Sequence, residues 1–511
     1  MKLHRILLSC CLTIAVLLVG VWVLPLEAEA FIYDTCGSNL TWSLDQHGVL
    51  TISGTGAMWD FADTVIAPWY YDRSDIKTVV IEDGVTGIGK QAFAYCKNLE
   101  DVSISNSVTA IGQEAFKECG NLQSITIPNG VTELNTSVFE NCKNLQSITI
   151  PDSVTIIGGS AFFYCASLQS ITIPDSVTTI GGSVFSYCTS LQSITIPDSV
   201  TTIGESAFSN CTSLQSITIP DSVTTIGESA FSNCTSLQSI TIPDSVTTIG
   251  GSAFYCCTSL QSITIPSGVT TIGECAFRLC TNIKAITIPG GVTAIDREAF
   301  SKCRSLVSVA IPNSVEAIGE EAFCGCESLT EITIPEEIKI LESRVFSDCD
   351  GLTKLVVPNN VITIKEEAFS GCDNLTSVNM GKKVVTIGES AFYNCGELKD
   401  ITLSDSLQNI GNSAFGECLA LEDVYYTGSQ EKWEAIEIGE NNDPLFAASL
   451  TVDHKMDDTS DAQKSDEDDF DEYDSNTENS GLLGWIATIV LVIVLVIITV
   501  LFILQKKKKK T

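Results

Sequence analysis

Phenylalanine stands at positions 93, 116, 139 and 162 and then at every twenty-third residue to Phe415, fifteen times without a slip of register. Cysteine follows three residues later each time, from Cys96 to Cys418, and leucine three after that, from Leu99 to Leu421, with Ile283 the one substitute. The unit reads I-G-x-x-A-F-x-x-C-x-x-L-x-x-I-x-I-P-x-x-V-x-x, and residues 204–226 and 227–249 are identical at every position. Such a chain does not build a series of independent cores. A repeat array lengthens by adding copies of one unit that only its neighbours can bury. The 511 residues therefore predict one long array in place of several globular domains.

The pattern dictates the course of one copy. In Gln215-Ser216-Ile217-Thr218-Ile219, apolar and polar residues alternate with the period of a half-buried strand. Ile217 and Ile219 face inward, Ser216 and Thr218 outward. Pro220 ends the strand because it has no N–H for a ladder. Val223 and Ile226 bring the chain back to the core, Gly204 frees a tight bend, and Glu205–Phe208 is expected to form a single helical turn that drives Phe208 and Cys211 inside. One copy has too few apolar side chains to offset the ordering of its backbone, so only stacking folds it.

A 23-residue period containing L-x-x-I-x-I is the signature of a leucine-rich repeat. The expected fold is a repeat solenoid: a right-handed leucine-rich-repeat coil with a stacked parallel β-sheet, capped at both ends, plus one C-terminal transmembrane helix. Sixteen strand positions from Ile76 to Leu421, at about 4.8 Å each, give a sheet about 75 Å long.

Flanking segments divide the rest. Residues 1–30 read as a signal peptide, with Lys2 and Arg5, an apolar run from Ile6 to Leu24, and Ala28-Glu29-Ala30 before a cleavage point at Phe31. Residues 31–75 form an N-terminal β-hairpin cap around Asp45–Gly48, with Trp42, Leu44, Leu50 and Ile52 on one side. The solenoid covers 76–423, and an aromatic-rich C-terminal cap covers 424–456. Residues 457–480 form an acidic, disordered stalk and 481–505 a transmembrane helix. Residues 506–511 form a cytoplasmic lysine tail, which makes the chain single-pass with an extracellular ectodomain.

With the five tail lysines, Lys2, Arg5, Glu27 and Glu29 set aside, residues 31–480 carry 21 basic and 61 acidic residues, a net of −40. So negative a surface repels phosphate backbones, which argues against a nucleic-acid partner.

The unit at Ile203–Pro220, repeated through residues 88–421, closely resembles the BspA-like (Treponema-type) leucine-rich-repeat proteins. The leading block Cys36-Gly37-x-x-Leu40-Thr41-Trp42-x-Leu44 with Gly48–Met58 is similar to the cap of many such proteins from Gram-positive gut anaerobes. The resemblance implies a cell-surface protein with a role in adhesion to host matrix or other microbes, and it brings no catalytic residues. No L-P-x-T-G sorting motif precedes the apolar tail, so a membrane span takes the place of wall attachment.

Little in the sequence suggests chemistry. Fifteen of the 21 cysteines occupy the repeat column and are expected to be inert buried thiols, while Cys36, Cys256, Cys275 and Cys324 are expected to be more accessible. Cys256-Cys257 and Cys324-x-Cys326 each share a member with the column and have no histidine nearby, so no metal site is expected. His47 and His454 fall in opposite caps. The expectation is a protein that is not an enzyme and has no cofactor or metal.

The outward strand positions remain. Ser and Thr form ladders there, and Thr195, Thr218 and Thr241 represent the regular central part. Lys354, Val356 and Asp400 break the ladder in the C-terminal third, the favoured footprint for a specific partner. The expected function is adhesion or binding of a protein or glycan ligand, on host or neighbouring cells, by the concave sheet of a membrane-anchored ectodomain. The alternative is a surface stalk or coat without a dedicated ligand.

Overall fold

A computed structural model describes residues 35–62 and 65–455. The expected signal peptide, stalk, transmembrane helix and lysine tail lie outside the described residues. Among the described residues no helix is long and apolar enough to cross a membrane.

The repeat builds a parallel β-solenoid of stacked 23-residue coils, most of them with two short strands. Ser216–Thr218 pairs with Ser193–Thr195 of the preceding coil, Ile217 opposite Ile194. Thr225–Ile226 pairs in the same way with Thr202–Ile203. The second ladder is continuous from Glu133–Leu134 to Thr248–Ile249. The outward ladder, expected to be one sheet, is divided: no strand forms at Ser170–Thr172, and the segment ending at Ile332 is separate from the one that begins at Lys354. Strands of three residues share too few bonds to enforce pairing. Packing holds the unpaired coil, where Ile171 is still buried.

Between the two strands, the expected helical turn does not form. Ser206, Phe208 and Asn210 donate their backbone N–H groups to the carbonyls of Glu228, Ala230 and Ser232 in the next coil, at 2.8, 2.8 and 2.7 Å. The alternate residues Ala207, Ser209 and Cys211 bond back within their own coil to Gly204, Ser206 and Phe208. Ser206 and Asn210 reach this arrangement with left-handed backbones, φ 54° and 61°. A helix would spend its N–H groups along its own axis. Stacking requires half of them to point across to the neighbour. The glycine before this turn also has another role than the expected bend. A Cβ on Gly227 would lie 2.7 Å from the backbone N of Glu205, so the residue permits the close approach of two coils.

The core is built from columns. Phe93 to Phe415 stack ring on ring, with centroids 5.2–5.7 Å apart and planes within 22° of parallel. Trp69 begins this column, stacked on Phe93 at 5.5 Å with its Nε1 donating to the carbonyl of Ala92 at 2.8 Å. The cysteine column is fully buried from Cys119 to Cys418. Its fourteen thiols each donate to the carbonyl of the phenylalanine 26 residues back, at 3.0–3.4 Å. These thiols are thus donors as well as apolar filler. Of the four off-column cysteines expected to be accessible, Cys36 and Cys324 are buried and only Cys256 and Cys275 are half-exposed. Cys36 lies in the short strand Thr35–Gly37 laid against the hairpin, and Cys324 is packed between coils, its carbonyl accepting from the backbone of Lys302.

Both ends of the array are covered. Leu40–Leu44 and Val49–Gly54 pair antiparallel with Trp42 opposite Ile52 and Leu44 opposite Leu50. The second of these then pairs parallel with Thr78–Ile81, so the hairpin templates the first coil. At the other end Asp423–Tyr426 keeps the parallel register against Asp400–Leu403, and Ser449–Thr451 adds one strand more. Short helices at Gln430–Glu434 and Asp443–Ala447 lie between those strands.

Candidate binding surface

Strand pairing sorts the outward side chains into columns. Thr195, Thr218 and Thr241 lie in one column on successive coils, all exposed. Ser193 and Ser216 form the neighbouring column. Asp198, Asp221 and Asp244, one per coil and exposed, follow just beyond the strands. The central surface is therefore a lattice of hydroxyl groups bordered by carboxylates. Where Ser170–Thr172 and Ser193–Thr195 fail to pair, a shallow groove of about 320 Å³ opens between the coils.

The three C-terminal residues divide between two columns. Lys354 and Asp400 share one, with Ser377 between them, while Val356 belongs to the next, followed by Asn379 and Thr402. Lys354 and Asp400 are thus two strands apart and do not form an ion pair. Val356 is 52% exposed, a large apolar side chain on an otherwise polar face.

Three residues missed in the sequence extend this patch. Asp423 continues the column of Asp400, and Tyr425 continues that of Val356. His454 folds back so that its ring lies 4.7 Å from that of Tyr425, held by its backbone N–H on the carbonyl of Tyr426 at 3.0 Å. The available signal was the 23-residue step from Asp400-Ile401-Thr402 to Asp423-Val424-Tyr425, masked by the change of residue types. Burial and the facing Asp423 push the Asp400 carboxyl up, against the opposing pull of Lys354. Asp423, burial and Asp400 likewise raise the Tyr425 phenol. The patch combines a negative pair with an aromatic pair, chemistry suited to a cationic or polyhydroxyl group.

Among the described residues no group of three or more His, Cys, Asp or Glu side chains is gathered to hold a metal. His47 lies in the turn of the N-terminal hairpin and His454 in the last coil, so neither has the other as a partner.

Stacked coils, a buried phenylalanine column and a periodic outward face define a leucine-rich-repeat solenoid. The chain belongs to the BspA-type leucine-rich repeat family, whose model matches residues 64–192, 180–307 and 293–422. Among solved structures it is similar to a leucine-rich repeat protein from Bacteroides ovatus, with 27% identity over 82% of this chain and 100% of that one and a TM-score of 0.60. A leucine-rich cell-surface protein from Faecalibacterium prausnitzii shares 26% identity over 78% of this chain and 96% of its own, with a TM-score of 0.38. The leucine-rich repeat protein of Treponema pallidum shares 34% identity over 32% of this chain and 78% of its own, with a TM-score of 0.31. No curated protein matches the chain in sequence.

Proposed function

We propose that this chain is a membrane-anchored, non-catalytic cell-surface protein that adheres to a protein or glycan on host or neighbouring cells through its outward strand face. The observation that carries this reading is the register of Thr195, Thr218 and Thr241, which repeats one exposed contact group on successive coils. At about 4.8 Å per coil, many weak and identical contacts sum to a firm attachment. The carboxylates that border the lattice, and the net charge of −40 over residues 31–480, favour a neutral or basic partner. A charged contribution would weaken as salt rises.

The test compares two sets of substitutions in cell-adhesion and ligand-screening assays. One replaces Thr195, Thr218 and Thr241 together by arginine or glutamate. The other replaces Lys354 by glutamate and Val356 and Asp400 by arginine. Loss with the first set identifies a distributed, multivalent surface, and loss with the second alone places the contact at the irregular coils. A bound ligand unaffected by either set removes the strand face from consideration.

A second reading is favoured by the identity of residues 204–226 and 227–249. Identical coils suit a stalk, because each interface can replace the next. Deleting residues 227–249 preserves the register. A spacer keeps its attachment strength after that deletion, whereas a multivalent binder loses avidity stepwise as coils are removed.

A further inference from the structure

Away from the strand face, at the N-terminal end of the solenoid, a cleft of about 390 Å³ has a different chemistry. Phe61, Trp69, Tyr70, Arg73, Ala92 and Tyr95 are among its lining residues. Its floor is rigid: Trp69 is buried, stacked on Phe93 and edge-on to Phe61 at 5.9 Å. Its rim is aromatic and open, with Tyr70 39% and Tyr95 42% exposed.

Arg73 is the cation of this cleft. Its guanidinium carbon lies 4.0 Å from the centre of the Tyr70 ring and 5.9 Å from that of Tyr95. The Nη1 atom is buried and has no hydrogen-bond partner among the described residues. Gln91, which also lines the cleft, is already engaged, its Nε2 donating to Glu114 at 2.7 Å. A buried, charged donor without an acceptor is costly, and native structures rarely keep one without water, an ion or a ligand to satisfy it.

We propose that this cleft binds a single carboxylate carried on a sugar ring, as in a hexuronic acid residue, with the carboxylate on Arg73 and the ring against the tyrosine faces. One guanidinium matches one negative charge. The surrounding net charge of −40 penalises phosphate or sulfate groups of higher charge. The volume lies near the lower end of small-ligand pockets, about 300–1,000 Å³, which suits one ring and not an extended chain. The phenol hydroxyls of Tyr70 and Tyr95 offer donors and acceptors to a polyhydroxyl body. The inference is independent of the strand face, which contributes no residue to the cleft.

The test is titration of the full-length chain with glucuronate, followed by calorimetry or ligand-observed magnetic resonance. Glucuronate is expected to bind at least tenfold more tightly than glucose. Arg73→Gln should weaken glucuronate binding at least tenfold without lowering the melting temperature, and Tyr95→Ala, at a ring on the open rim, should weaken it severalfold. A triple substitution at Thr195, Thr218 and Thr241 should leave it unchanged. Equal affinity for glucuronate and glucose, no binding of either, or full retention in Arg73→Gln would overturn the proposal. Tighter binding of the peptide carboxylate Gly-Gly-Phe than of glucuronate would replace the sugar by a chain terminus. Asp63 follows the lining residue Ala62 in sequence but lies outside the described residues. Binding seen only in Asp63→Asn would mean that the chain supplies its own acceptor, and the proposal would fall.

Discussion

The thiol of Cys211 lies 3.1 Å from the carbonyl oxygen of Phe185, one coil earlier, and donates a hydrogen bond to it. The same carbonyl accepts the backbone N–H of Cys188 at 3.0 Å, so the thiol fills its second lone-pair direction. A thiol that were apolar filler alone would make a serine here a buried hydroxyl without a partner; this geometry supplies one. Cys211→Ser keeps a donor aimed at Phe185. Cys211→Ala removes the donor and leaves a small void, at a cost of about 1–2 kcal/mol. Denaturant melts should place the serine variant at or above the alanine variant. A serine variant clearly less stable than alanine would show that the thiol–carbonyl contact is not a hydrogen bond.

The left-handed turn at Ser206 makes a second prediction. Its φ of 54° is closed to proline, and its N–H is committed to Glu228. Ser206→Pro should therefore cost about 3 kcal/mol or more, whereas Ser206→Gly should stay within about 1 kcal/mol of the parent. A first helical turn would accept proline readily. Equal melting of the parent and the proline variant would restore the helical turn.

Asn442 closes the C-terminal end. It is 1% exposed. Its Oδ1 accepts from the backbone of Phe415 at 2.9 Å, and its Nδ2 donates to the carbonyls of Gly411 and Gly439 at 3.0 and 2.9 Å. Asn442→Leu strips these bonds, with a longer one to the carbonyl of Glu440 at 3.4 Å, and leaves buried backbone groups unpaired, at about 2–3 kcal/mol. Since coils contact only their neighbours, the loss should be local. Hydrogen exchange is expected to quicken over residues 411–451 and not over 204–249. Uniform quickening would show that the array unfolds as one unit.

Stability should also rise on mild acidification. Burial raises the Asp348 carboxyl above its ordinary 3.8, with Asp373 adding to the rise against a hydrogen bond from Ser347. Burial, Asp373 and Glu327 raise Asp350 in the same direction. A carboxyl raised in the folded state contributes stability that is complete below its ordinary value and is lost as pH rises through the folded one. Glu367 acts oppositely, held below its ordinary value by Arg344. The double variant Asp348→Asn, Asp350→Asn should therefore show a smaller gain in melting temperature between neutral pH and the carboxylate range than the parent. An identical gain would remove these two groups as its source.

Much of this architecture was legible in the residues. The columns of Phe208, Cys211 and Ile217 were read as buried, and they are. Ser216 and Thr218 were read as outward, and they are. The hairpin about Asp45–Gly48, with Trp42 and Ile52 on one side, was read from the alternation, and the structure sets those two residues opposite each other. The turn at Glu205–Phe208 was misread because A-F-x-x-C places its apolar side chains inward on either backbone. Trp69 was not seen as the first member of the phenylalanine stack, because it stands 24 residues before Phe93 and belongs to no repeat. The surface residues Asp423, Tyr425 and His454 were missed because their significance depends on the last strand keeping register and on the chain folding back.

The sequence by itself determined the coil: its 23-residue length, which side chains enter the core, and that no coil folds alone. Those follow from hydrophobic periodicity, a local property repeated so often that each copy confirms the next. The tertiary structure alone decided where the backbone N–H groups go, because a donor at Ser206 has no partner until a second coil stands beside it. It likewise decided the thiol bonds, the broken outward ladder and the placing of Arg73 over the Tyr70 ring. Hydrogen bonds between coils depend on distances that a linear pattern does not carry, and those distances are fixed only when one core closes upon the next.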